Sequence, residues 1–292
     1  MLLKFIYFLI NSNVFISVAA VTMTIETQIQ LGMHPQLHPY LFLIFFATLF
    51  EYNLHRLITI LTNKKAINSD KHSWVKKYLK MFYLLVLISF VGFGITVLLA
   101  KKEVLLTLAP IAILTLFYST PISKRTEAIM RLRQIPFLKI FLISFVWSVA
   151  TILLPIIQSE KMFNQIHVWI MLLERFLFIF AITIPFDIRD MVADETSGLR
   201  TLPLLIGEKK SITLATSILL PFLLISLIHY FLTNQLFIFL AFTISGATTL
   251  IFLIDENAKN LSLYYYGILD GTILLQGVLT LVFYQLKDLF QY

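Results

Sequence analysis

Apolar runs of membrane-crossing length recur along most of the chain, separated by short polar connections. A helix that spans a bilayer needs about 20 mainly apolar residues. That window selects nine segments: 6–30, 38–62, 79–99, 103–120, 136–157, 166–187, 211–232, 235–254 and 263–285. The longest polar stretches between them, 63–78 and 121–135, are loop-sized, so no soluble domain interrupts the series. The pattern predicts an all-α, polytopic membrane protein: one transmembrane domain over 1–292 with about nine helices. The opening MLLKFIYFLI lacks a strongly basic leader and an evident small-residue cleavage site, and reads as part of the first span.

Composition agrees. Of the 292 residues 59% are hydrophobic and 13% charged, where a soluble domain carries about a quarter charged residues. The absence of cysteine excludes disulfides, iron–sulfur clusters, thiolate zinc and cysteine nucleophiles. The net charge of +7 does not point to nucleic acid, because the basic residues lie between apolar runs. They also alternate. Lys64, Lys65, Lys71, Lys76, Lys77 and Lys80 follow the second run, and Lys124, Arg125, Arg131 and Arg133 the fourth. Arg189, Arg200, Lys209 and Lys210 follow the sixth, and Lys259 the eighth. The intervening connections hold few or no cations, which predicts cytoplasmic basic loops, anionic lipid headgroups beside them, an N-terminus inside and a C-terminus outside. A bacterial-type inner membrane is the expected location.

The sixth run closes on FDIRDMVADETSGLRTLPLLIG, residues 186–207. On a helix Asp187, Asp190 and Asp194 form one stripe, and like charges so placed repel unless a cation neutralises them. Mg²⁺ suits carboxylate oxygens and often bridges to phosphates. Arg200 follows, a fork for phosphate oxygens. A solvated loop of mixed charge is the plainer alternative.

The segment resembles the second aspartate-rich motif of the UbiA-type intramembrane prenyltransferases, D-x-x-D-x-x-x-D-x-x-x-G-x-x-T-x-P-x-x-x-G. Asp187, Asp190, Asp194, Gly198, Thr201, Pro203 and Gly207 all fall in register. FYSTPISKR, with Tyr118 and Lys124, is similar to the family's Tyr–Lys segment. Weaker likeness continues into LRQIPFLKIFLISFVW and YYYGILDGTILLQ. The resemblance implies nine spans around a cavity that opens to the cytoplasm. It also implies Mg²⁺ held by Asp187, Asp190 and Asp194, catalytic roles for those residues with Lys124 and Tyr118, and transfer of an isoprenyl group from its diphosphate to an aromatic or other lipophilic acceptor. Arg131 and Arg133, in the same loop, are alternatives for the lysine's role.

One departure stands out. The family's first motif, N-D-x-x-D, corresponds to EYNLHRLIT, residues 51–59, where Asn53 is in place but Leu54 and Leu57 replace the aspartates. Arg56 and His55 are expected at the diphosphate instead, because arginine binds it directly through paired hydrogen bonds. The bland alternative pairs Glu51 with His55 and lets Arg56 reach the headgroups. Glu174 and Arg175 read as glue between helices, and Asp270 beside Gly271 as either a packing or a lining position. Two further readings compete: a non-catalytic isoprenoid-binding or lipid-binding descendant, and an ion-coupled transporter, for which no inverted repeat with broken helices is evident.

Overall fold

The computed structural model describes residues 2–62, 74, 75, 77–119, 137–159, 162–196, 198 and 200–287. Every apolar run is helical, and no strand occurs among the described residues. The helices are α1 (Leu2–Asn11), α2 (Val14–Gln30), α3 (Pro39–Thr62), α4 (Leu79–Leu99), α5 (Lys102–Ser119), α6 (Leu138–Ser159), α7 (Gln165–Thr196), α8 (Leu202–Ile206), α9 (Glu208–Leu232), α10 (Leu236–Ile254), α11 (Glu256–Lys259) and α12 (Asp270–Gln285). A π-helical stretch, Tyr264–Leu269, leads directly into α12. Seven helices are long and apolar enough to cross a membrane, and α1 with α2 supplies an eighth span if taken together. The expected nine is roughly consistent with that count; α5, 18 residues long, lies outside it. The chain is an integral membrane protein.

The first span differs from the continuous helix expected over 6–30. It bends by 76° between α1 and α2. Asn13 at the break has φ 63, a left-handed conformation that asparagine tolerates better than most residues. The bend exposes backbone carbonyls that a straight helix would satisfy, and α3 supplies donors. Arg56 Nη1 donates to the Asn11 carbonyl and Asn53 Nδ2 to that of Ser12.

Helix α2 packs on α12, α12 on α10, α10 on α9, α9 on α7, α7 on α6, and α6 back on α2, which closes a circuit. Helix α3 lies against α2 and α6, α5 against α6, and α4 against α3. Most of α4 presents apolar side chains outward, among them Leu84, Leu87, Ile88 and Phe90, as lipid contact requires. Helix α2 crosses α12 closely. A Cβ on Gly277 would lie 2.7 Å from the Thr22 carbonyl carbon, and backbone cannot yield as a flexible side chain can. Overpacking of this kind costs about 1–3 kcal/mol. Gly277→Ala therefore lowers the thermal midpoint in detergent, as read by the loss of a monodisperse chromatographic peak after heating.

Candidate functional site

Helix α7 has 32 residues, more than the roughly 20 needed to cross the bilayer, so its last turns reach past the apolar layer. Pro185 sits inside it without ending it. Asp187 and Asp194 are buried, at 1% and 9% exposure, while Asp190 keeps a third of its side chain exposed. Three acids on one stripe demand a counter-charge, and Lys139 supplies it. Helix α6 packs alongside α7 and sets Lys139, in its first turn, beside the end of α7. The ammonium nitrogen lies 2.6 Å from Asp187 Oδ1, 3.7 Å from Asp190 Oδ2 and 3.9 Å from Asp194 Oδ2.

A second cation completes the cluster. Arg189 grips Asp190 with a fork, Nε to Oδ1 at 2.7 Å and Nη2 to Oδ2 at 2.9 Å. Its guanidinium lies over the rings of Phe186, Tyr265 and Tyr266, with centroids 5.2, 5.3 and 4.6 Å away. The π-helical stretch brings these two tyrosines to it, and the stacked cations and rings attract each other. Arg189 Nη1 is buried and lacks a hydrogen-bond acceptor among the described residues, and Thr201 Oγ1 likewise lacks a partner there. Buried polar atoms left so call for a missing partner. An anion would suit the Arg189 donor.

Of the other predicted residues, Asn53 and Arg56 come together with each other and with the first span. Asn13 Nδ2 donates to Asn53 Oδ1 at 2.9 Å, and Arg56 Nη2 donates to Asn13 Oδ1 at 2.6 Å. Both side chains thus fasten the bend. Arg56 also interacts electrostatically with Tyr266 and Arg189, which places it on the aspartate side of the bundle. His55 is half-buried and Arg200 exposed. Tyr118 lies near the end of α5 with its side chain outside the described residues, and Lys124, Arg131 and Arg133 lie outside them altogether.

Lys139, Arg189, Tyr265 and Tyr266 were not among the residues expected from sequence. Lys139 carried a usable signal: it is a single charge in the apolar run IPFLKIFLISF, and a charge in such a place usually marks a site. The oxygen-only donor set of Asp187, Asp190 and Asp194 has the chemistry Mg²⁺ prefers, and the three carboxylates already converge on one cation. That cation is Lys139, and no ready group of metal-binding side chains exists among the described residues. Lys139 must withdraw before a metal could enter.

Comparison with known proteins gives the family and the fold. The model of the UbiA prenyltransferase family matches residues 62–264. The fold is similar to that of a UbiA homologue from Archaeoglobus fulgidus bound to GPP and Mg²⁺, with a TM-score of 0.60 and 13% identity over 93% of this chain and 99% of that one. The structure of the same homologue bound to DMAPP and Mg²⁺ gives 0.59 and 15% over the same shares. A structure of digeranylgeranylglyceryl phosphate synthase gives 0.53 and 14% identity, over 94% of this chain and 97% of that one. A search of the curated proteins finds no match. With a family model covering more than half of its length, the chain belongs to the UbiA prenyltransferase family.

Proposed function

We propose that this protein transfers an isoprenyl group from an isoprenyl diphosphate to an aromatic or other lipophilic acceptor at the cytoplasmic face of the membrane. The observation that carries the reading is the convergence of Asp187, Asp190 and Asp194 on Lys139, with Arg189 beside them. The similar homologue's binding of GPP and DMAPP with Mg²⁺ supports the same substrate class. In this reading the isoprenyl tail lies among the apolar helices of a single domain and the diphosphate meets the polar cluster. Lys139 and Arg189 neutralise charge as it develops on the departing diphosphate, which lowers the barrier to breaking the allylic C–O bond. The acceptor then attacks the allylic carbon and loses its proton. Tyr265 and Tyr266 line the approach with aromatic faces, which favour a nearby cation and exclude water. Asp187, Asp190 and Asp194 are the residues that would hold Mg²⁺, whose charge, when it is bound, adds to the stabilisation of the diphosphate. Lys124, Tyr118, Arg131 and Arg133 belong to the same proposal, as does His55.

A non-catalytic isoprenoid-binding protein is the second reading, and one observation favours it: the aspartates already have a structural use in holding Lys139. Incubation with labelled farnesyl or geranylgeranyl diphosphate, Mg²⁺ and candidate acceptors separates the two. The enzyme releases diphosphate, and Asp190→Asn, which weakens the fork to Arg189, lowers release about 100-fold, the order seen when one preorganised transition-state contact is lost. Tight binding without release, unchanged in Asp190→Asn, establishes the second reading instead.

A further inference from the structure

A second polar cluster lies deep in the bundle, away from the aspartates and on the same helix. Glu174 is thirteen residues before Asp187 on α7, about 20 Å along the axis at 1.5 Å per residue. Around it are Glu26 and Gln30 of α2, Arg175 and His167 of α7, His229 and Tyr230 of α9, and Gln276 of α12. Glu26, Glu174, Tyr230 and Gln276 are fully buried, Arg175 is 2% exposed and His229 4%. Arg175 Nη2 meets Glu26 Oε1 at 2.6 Å and its Nη1 donates to Thr27 and, from α6, Thr151.

The hydrogen bonds fix the protons. Arg175 Nη2 donates to Gln30 Oε1 at 3.0 Å, so the amide nitrogen of Gln30 is the group that donates to the Tyr230 hydroxyl. The hydroxyl's own hydrogen then goes to Glu174 Oε2 at 3.0 Å. At the other end, His167 Nε2 lies 2.9 Å from the Gln30 carbonyl. A carbonyl only accepts, so this nitrogen carries the hydrogen, and in a neutral ring Nδ1 is then an acceptor. His229 Nε2, 2.6 Å from that Nδ1, must donate to it. The remaining contact, His229 Nδ1 to Glu174 Oε1 at 3.0 Å, therefore needs one hydrogen beyond those of a neutral imidazole and a carboxylate. Charge requires the same hydrogen. Glu26 and Glu174 as carboxylates against Arg175 alone leave one buried negative charge uncompensated, at a cost of several kcal/mol. A proton on Glu26 Oε2 would find no acceptor among the described residues.

From this geometry we infer that Glu174 and His229 form an intramembrane proton-binding site, holding one exchangeable proton that reaches it through His167 from the face of the membrane opposite the aspartates. His167 and Gln30 line a cavity of about 260 Å³ with Gly32, Asn164, Thr233 and Gln235, at the end of the bundle where α7 begins. The site holds one proton, taken from and returned to the water of that cavity, and no bond between heavy atoms changes. This inference does not depend on the proposed transferase activity.

The test uses the full-length protein, labelled with ¹⁵N-histidine, in lipid nanodiscs. The His229 signals, assigned by their loss in His229→Asn, are expected to show an imidazolium. If the proton rests on the carboxyl group instead, His229 is neutral and an infrared carboxylic-acid band is present. Glu174→Gln places an amide N–H where the acid proton lay, so it leaves His229 neutral and removes any such band. A neutral His229 in the wild type with no carboxylic-acid band overturns the inference, and that measurement stands even if the variants fail to fold. In proteoliposomes of uniform orientation, base added on the His167 side removes the proton rapidly and base on the aspartate side does not. Equal loss from both sides contradicts the route.

Discussion

Arg175→Ala costs the folded protein about 3–5 kcal/mol, the penalty for removing one partner of a buried ion pair. The loss is large because the guanidinium serves several helices at once. It meets Glu26 and Gln30 on α2, donates to Thr27 there, and donates to Thr151 on α6. Without it Glu26 stays fully buried with its ion-pair partner gone. Glu26→Gln is expected to cost less, since the amide keeps a hydrogen-bonding group opposite Arg175 and removes a negative charge rather than a positive one. The Arg175→Met, Glu26→Gln double variant recovers part of the loss, because a buried pair replaced together leaves no bare charge. Thermal denaturation in detergent, followed by intrinsic fluorescence, checks the order: Arg175→Ala lowest, the double variant above it, the wild type highest. Equal midpoints for Arg175→Ala and the wild type would show that this guanidinium does not hold the helices together.

Lys139→Ala gives the second large effect, and this one depends on the metal. The substitution leaves Asp187, 1% exposed, facing Asp190 and Asp194 without the ammonium that now lies 2.6 Å away. In EDTA the variant loses stability, and it loses affinity for an isoprenyl diphosphate by about 10- to 100-fold, the range for a hydrogen bond to a charged group. Mg²⁺ restores stability to the variant far more than it adds to the wild type, because the ion enters a place that Lys139 otherwise occupies. A titration of thermal midpoint against Mg²⁺ shows the contrast directly. Parallel curves for variant and wild type would mean that the metal, if bound, binds somewhere else.

Much of this architecture was legible in the residue order. Eight of the nine apolar runs became unbroken helical segments, most with ends within a few residues of those expected, while α7 runs on to Thr196, well past the expected 187. An apolar segment in lipid must satisfy its own backbone hydrogen bonds, and only a helix does so locally. The break at Asn11–Asn13 was not legible, since it depends on donors from Asn53 and Arg56, about forty residues away. The stripe of acids could be read because it sits within one helix. Its counter-charge could not, because Lys139 meets Asp187 only through the packing of α6 on α7. Arg189 stands between two of the acids in sequence, yet the aromatic surface that holds it comes from Tyr265 and Tyr266, nearly eighty residues further on. The likeness to the UbiA-type second motif carried the family, and the family model confirms it. Glu174 and Arg175 read rightly as polar contacts between helices, while the histidines that complete their cluster are isolated in sequence.

The carboxylates ending α7, with Lys139 and Arg189, are proposed as the seat of an isoprenyl diphosphate. A structure of the protein with a non-cleavable isoprenyl thiodiphosphate and Mg²⁺ tests it most directly. Phosphate oxygens are expected in contact with Lys139 and Arg189, the metal ion between them and Asp187, Asp190 and Asp194, and the tail running inward among the helices. Phosphates bound elsewhere, with Lys139 still locked onto Asp187, would contradict it.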